Sequence, residues 1–268
     1  MRHQFRRMTR RLYAVVLILC AVAVQAQPVP LIHAHAHNDY EHKRPLFDAL
    51  DRGFCSVEAD VWLVDGKLLV AHDEKNVSPS RTLQSLYLDP IRERAKKNGG
   101  RLFKGGPEAT LLVDVKSDGD STYAALRNVL KEYTDILTTF GPGGVTTNAI
   151  RVIVSGNRSR PMMEMETIRY AQMDGRLSDL ENDDPKHVIG WISDNWTKHF
   201  KWRGVDAIPE AEHQKVREIV KKSHQRGCRV RFWATSDSPA VWRELRTAGV
   251  DLLNSDNLDG LAKFLRGD

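Results

Sequence analysis

The chain has 268 residues, 41% hydrophobic and 28% charged, the balance of an ordinary globular protein able to bury one large core. Its net charge of +5 and pI near 9.1 point toward nucleic acid, but the excess is local. Five of the 40 basic residues and none of the 35 acidic ones lie in the first 26 positions, leaving 35 of each sign beyond them. A neutral body gives no electrostatic case for a nucleic-acid partner.

Residues 1–26 have a basic start, an apolar run from Leu12 to Val24 and a small-x-small ending at Val24-Gln25-Ala26. This is the layout of a secretory signal peptide cleaved after Ala26, so the expected location is secreted or periplasmic. The alternative is an uncleaved N-terminal anchor, for which the run is short against the ~20 residues that span a bilayer. Cleavage removes Cys20 and leaves Cys55 and Cys228 in a compartment that permits disulfides.

From residue 27 to 268 a single domain is expected, with no low-complexity tract or linker. Eight short runs recur, "VPLIHAHA", "CSVEADVWLV", "TLLVDVKS", "IRVIVSG", "IRYAQMD", "HVIGWISD", "CRVRFWATS" and "GVDLLNSD". Most are apolar with a polar end, as in strands covered on both faces. The fifth has the weakest signal, and "GKLLVAHD" after the second reads as a return strand or loop. Helical stretches lie between them. "PLFDALDRG" runs from Pro to Gly, "EAEHQKVREIVKKSHQRG" from acidic to basic, and "SPAVWRELRTAG" from a capping Ser238 to Gly249. "RTLQSLYLDPIRERAKKNGG", interrupted at Pro90, and "GDSTYAALRNVLKEYTDIL" fill the earlier gaps. Eight strands alternating with helices predict an α/β fold, the (β/α)8 TIM barrel. An open doubly wound sheet is the rival, without a Gly-rich phosphate loop to support it.

Barrel chemistry collects at the C-terminal ends of strands. There the first strand offers His37 and Asn38, the second Glu58 and Asp60, and the third Asp114 and Lys116. His72 ends the return segment, Trp233 the seventh strand, and Asn254 and Asp256 the eighth. Two-residue spacing puts Glu58 with Asp60, and Asp114 with Lys116, on one face. Three converging carboxylates repel unless a cation joins them, and an all-oxygen set suits Mg²⁺ or Ca²⁺, with Asn38 as a neutral donor. His37 and His72 suit a general base and acid. A cation and Lys116 facing two histidines suit a phosphodiester. Each signal also has a plain structural reading: an E-x-D pair is common, a strand-end Asp often caps a helix, and Lys116 could simply pair with Asp114. His33 and His35, at two-residue intervals behind His37, cannot all reach the mouth.

The ordered set "HN-D-Y", "VEADV", "DGKLLVAHD", "LLVDVK", "RFWAT" and "GVDLLNSDNLDGL" resembles the phosphatidylinositol-phospholipase-C-like phosphodiesterases. That superfamily includes glycerophosphodiester phosphodiesterases and sphingomyelinase D-type phospholipases, and the chain looks most like the altered inheritance of mitochondria protein six branch. The resemblance spans His33 to Leu265. It implies a TIM barrel, an acid/base pair at His37 and His72, and metal ligation by Glu58, Asp60, Asp114 and Asn38. It further implies a phosphate contact at Lys116 and a substrate wall at Trp233. His37 is followed by Asn-Asp-Tyr where glycerophosphodiesterases usually have Arg-Gly, and Asp114 stands where they generally have Glu. The implied partner is a small-molecule or lipid phosphodiester, with transient membrane-surface contact if it is a lipid, and no protein partner.

Two other functions fit parts of the pattern. A zinc amidohydrolase barrel would use the H-x-H of "HAHAH", but needs histidines after strands five and six that this chain does not place there. A non-catalytic phosphate- or lipid-binding barrel would use Trp62, Trp191, Trp196, Trp202 and Trp233, most of which read as packing residues. The barrel separates Cys55 from Cys228 on non-adjacent strands, beyond the ~7 Å that a disulfide bridges, so both are predicted to remain thiols.

Overall fold

The computed structural model describes residues 27–182 and 187–267, so the predicted leader and Cys20 lie outside the described residues. The chain runs β1 (Leu31–Ala36), α1 (Phe47–Leu50), β2 (Phe54–Val64), β3 (Lys67–Val70), α2 (Asp89–Lys97), β4 (Ala109–Val115) and α3 (Gly119–Lys131). It continues through β5 (Thr139–Gly141), β6 (Gly144–Thr146), β7 (Ile150–Gly156), α4 (Arg160–Met165), β8 (Gln172–Gly175), β9 (Ile189–Asn195) and α5 (Trp196–His199). The last elements are α6 (Glu210–Gln225), β10 (Arg229–Trp233), α7 (Pro239–Thr247), β11 (Leu252–Ser255) and α8 (Leu258–Arg266).

The strand order β1-β11-β10-β9-β8-β7-β4-β2, with β2 returning to β1, closes an eight-stranded parallel barrel. All eight predicted strands are present. β3 pairs antiparallel with the far end of β2 and brings His72 back over the mouth. The weak fifth strand is Gln172–Gly175, at the C-terminal end of "IRYAQMD" and one residue past it. The small β5–β6 hairpin falls in a stretch the sequence reading left unassigned.

Local chemistry sets the helix ends. Ser238 caps α7 by accepting the Val241 N–H at 3.4 Å, and Gly249 follows it at φ +91°. The helix predicted from "PLFDALDRG" shrinks to four residues, because Leu46 before it is held at φ +66°. Before Pro90 the chain forms a wide π turn over Gln84–Leu88, and Pro90 then sits in the first turn of α2, where its missing N–H costs nothing.

Three buried apolar clusters form among the described residues. The largest lies between strands and helices; Ala34 and Ala36 of β1 are fully buried in it. A second fills the barrel, where Leu112, Ile153, Trp191 and Leu252 meet, and a third joins Leu180, Ile192 and Cys228. Trp196 and Trp202 also pack: Trp196 stacks on Phe200 at 4.0 Å and donates to the Trp202 carbonyl. Cys55 lies in β2 and Cys228 immediately before β10, strands that are not neighbours in the ring, and no disulfide joins them. Among the described residues, no helix is long and apolar enough to cross a membrane. Because Ile153 is fully buried in the cluster inside the barrel, Ile153→Ala is expected to cost about 2–5 kcal/mol in chemical denaturation. A loss below about 1 kcal/mol would show that the barrel interior is not close-packed there.

Candidate active site

Alternation along β1 aims His33, His35 and His37 inward at three depths. His33 sits lowest, its Nδ1 2.8 Å from the Asp251 carbonyl. His35 is fully buried, its ring edge-on to Trp191 at 5.6 Å between centroids. Its Nδ1 meets Ser56 Oγ at 2.7 Å, and the Arg231 guanidinium donates to its Nε2 at 2.7 Å. Burial, then Arg231, pulls its pKa down to about 4, so it is a neutral ring with its proton on Nδ1. The H-x-H pair therefore does not form a metal site at the mouth.

Glu58 shares this interior. Its Oε2 accepts from Arg231 at 3.0 Å, and Arg231 also reaches Asn254 Oδ1 at 3.0 Å. Burial opposes the charge on Glu58, but the Arg231 guanidinium outweighs it and holds its pKa below the usual carboxylate range. His35 Nε2, 3.1 Å from Glu58 Oε2, already accepts from Arg231 and donates nothing to Glu58. Arg231 escaped the sequence reading. The signal was present: Trp233 at the mouth and a two-residue period in "RVRFW" place Arg231 inside the barrel, where it needs a carboxylate.

One layer higher, Asp60 stands opposite Asp114 in register. Lys116 Nζ lies between them, 2.9 Å from Asp60 Oδ2 and 2.6 Å from Asp114 Oδ2. Burial opposes its charge, but the two carboxylates raise its pKa. Two of its three N–H donors are thus committed to protein. Burial, then the Glu58 charge, lifts Asp60 to about 6, and the same two causes raise Asp114. Gly156, at φ +67°, leaves room for Asp114, since a Cβ there would lie 2.2 Å from its Oδ1.

Glu58, Asp60 and Asp114 each offer an oxygen within 4.8 Å of the others. Asp60 Oδ1 and Asp114 Oδ1 are buried with no hydrogen-bond partner. Buried carboxylate oxygens without donors are costly unless a cation fills the space. An all-oxygen donor set with two free oxygens fits Mg²⁺ or Ca²⁺. Asn38, at φ +48°, turns its Oδ1 to accept the Tyr40 hydroxyl at 2.8 Å.

Tyr40, which the sequence reading quoted but gave no role, is the hub of the mouth. Its hydroxyl is 2.7 Å from Asp60 Oδ2 and 3.1 Å from His72 Nδ1, and that nitrogen is itself 3.1 Å from Asp60 Oδ2. Asp39 fastens this loop, accepting from the Leu46 N–H at 2.5 Å and the Tyr87 hydroxyl at 2.9 Å. On the other side His37 Nδ1 meets Asp256 Oδ1 at 2.8 Å. Asn38 Nδ2 lies 2.9 Å from the same nitrogen, which cannot both donate and accept. The Asp256 contact governs. Burial opposes the charge on His37, but the bond to Asp256 and the nearby Glu58 raise its pKa, so the proton stays on Nδ1. Among the described residues, no hydrogen bond engages Nε2 of His37 or His72. Trp233, half-buried, ends β10 beside Asn195.

Ionising Asp60 in the metal-free fold costs stability as pH rises from 3.8 to about 6, because its folded pKa lies above the unfolded one. A bound cation must displace that proton. Added Mg²⁺ or Ca²⁺ is therefore expected to raise the melting temperature less at pH 5 than at pH 7.5. Equal shifts at both pH values would contradict Asp60 as a ligand.

A family model described as the AIM6-like phosphodiesterase domain matches residues 23–174, and one for the glycerophosphoryl diester phosphodiesterase family matches residues 229–259. Altered inheritance of mitochondria protein 6 of Eremothecium gossypii is 30% identical, over 85% of this chain and 68% of that protein. Its homolog from Arthroderma benhamiae is 28% identical, over 83% of this chain and 80% of that one. Glycerophosphodiester phosphodiesterases from Agrobacterium tumefaciens and Parabacteroides distasonis share the fold. Their TM-scores are 0.52 and 0.53 at 18% and 16% identity, over 89% and 88% of this chain and 100% and 97% of theirs. The barrel, the three-carboxylate centre and these matches together identify the chain as a member of the AIM6-like phosphodiesterase domain family.

Proposed function

We propose that the protein is a metal-dependent phosphodiesterase that hydrolyses or cyclises a glycerophosphodiester or a phospholipid head group. The observation that carries this reading is the meeting of Glu58, Asp60 and Asp114, two of them with free buried oxygens, between two histidines. A divalent cation held by these carboxylates supplies Lewis-acid polarisation of a phosphoryl oxygen. Arg231 and Lys116 leave the three carboxylates one negative charge in excess, so a bound divalent cation makes the centre net positive, suited to a diester monoanion.

His37 and His72 carry the protons. Asp256 keeps the His37 proton on Nδ1 and leaves Nε2 for the substrate. Asp60 and Tyr40 do the same for Nδ1 of His72. One Nε2 takes the proton of the attacking hydroxyl, while the other delivers one to the departing alcohol. The uncommitted N–H of Lys116 contacts the phosphate, and Trp233 forms a wall for the alcohol. Asn38 accepts the Tyr40 hydroxyl on one lone pair of Oδ1, which orients the loop, and keeps the other for the cation. The leader points to an exported enzyme, touching a membrane surface only if the substrate is a lipid.

His37→Ala and His72→Ala are each expected to lower kcat for a cleaved diester about 100-fold or more, with melting temperatures near that of the parent protein. Near-normal rates in both variants would sink the acid/base assignment.

A further inference from the structure

Next to Asp114 around the ring, a second polar cluster caps the ends of β7, β8 and β9. Asp174 is fully buried, and its Oδ2 accepts from Ser155 Oγ at 2.8 Å, Ser193 Oγ at 2.7 Å and Arg176 at 2.9 Å. The Arg176 guanidinium, 24% exposed, is fixed at the mouth by this pair. Ser155 is the register partner of Asp114, so the cluster adjoins the acidic centre.

Arg158 lies two residues beyond Gly156, the position that abuts Asp114. Its hydrogen bond is to the Gly156 carbonyl, at 3.2 Å, and it forms no salt bridge among the described residues. The nearby carboxylates are taken. Asp179 binds Arg160 at 2.6 Å and the Arg176 backbone N–H at 2.6 Å, and Glu164 binds Arg160 at 2.9 Å. Burial, then the charge of Arg176, disfavours the charge on Arg158, and Asp174 and Asp179 offset this only in part. A guanidinium whose neighbouring carboxylates are bonded to other arginines keeps N–H donors for an oxyanion, and the planar fork of Arg suits carboxylate and phosphate.

We propose that Arg158 and Arg176 form a second anion subsite beside the phosphodiester centre, which selects substrates whose alcohol carries an additional oxyanion. This rests on the phosphodiesterase reading above. The subsite takes the carboxylate or phosphate of the head group, while the scissile phosphoryl group stays over the three carboxylates. A head group that is neutral or only cationic gains nothing from it.

Glycerophosphoserine and glycerophosphoethanolamine differ by one carboxylate and so test the subsite directly. The full protein is expected to favour the serine diester in kcat/KM. Arg158→Gln should lower kcat/KM for the serine diester about tenfold more than for the ethanolamine diester, mainly through KM. Arg158→Lys should restore part of the preference. Unchanged selectivity in Arg158→Gln, or equal losses on both diesters, would overturn the subsite and leave the phosphodiesterase reading standing. Calorimetry with the same two compounds separates the two claims if neither is turned over. Serine-diester binding that Arg158→Gln weakens about tenfold would then support the subsite alone. Equal binding of both compounds by both proteins would refute it.

Discussion

A negative charge is buried inside this barrel, and the rest of the mouth is arranged around it. Glu58 lies among side chains from other strands, over an interior floored by Trp191, and stays ionised because the Arg231 guanidinium meets it there, itself braced by neutral His35. Removing one partner from such a buried pair generally costs about 3–5 kcal/mol, so these residues hold one another in place. The Arg231 guanidinium also lies 5.9 Å from the Trp191 ring centroid. With Glu58 fixed inside, the two-residue strand period carries Asp60 to the layer above. Register with β4 then brings Asp114 opposite it.

The outer layer has the opposite electrostatic character. Glu58 has a guanidinium of its own and is pushed down, whereas Asp60 and Asp114 share one lysine and are pushed up. Neighbouring carboxylates with divergent environments are a recurring feature of sites that manage both charge and protons. Around this pair the β1 loop is clamped from beneath by buried Asp39, itself raised to about 7 by burial, and bent through left-handed Asn38 and Leu46. Strained backbone of this kind persists where the surroundings over-determine it. Here they deliver the Tyr40 hydroxyl to the point where Asn38, Asp60 and His72 converge.

Much of this was legible in the sequence, for physical reasons. Parallel barrel strands are apolar on both faces and end in polar residues, so all eight could be picked out, the fifth least clearly, and a period of two put Glu58 with Asp60 and Asp114 with Lys116. Pairings across the barrel were harder to see. Arg231 and Glu58 are 173 residues apart, and His37 and Asp256 are 219 apart. Tyr40 was quoted without a role because a tyrosine in a loop gives no hint of what its hydroxyl meets. Asn38 was placed by position alone, and the hydroxyl its amide oxygen accepts, from a residue two places along, is not signalled by any sequence pattern. The confinement of the fifth strand to the C-terminal end of its run reflects a short element whose tertiary pairing outweighs its local propensity.

The most direct test of a cation-dependent diester site is phosphorus NMR of the protein stripped of divalent metal, then supplied with Mg²⁺ or Ca²⁺. The substrate panel would hold glycerophosphodiesters, lysophospholipids, phosphatidylinositol and sphingomyelin. The account predicts that at least one diester resonance is lost only after metal is added. A monoester product would mean that water attacks, and a cyclic phosphate that a substrate hydroxyl does. A folded protein that leaves every diester intact with either cation would contradict it.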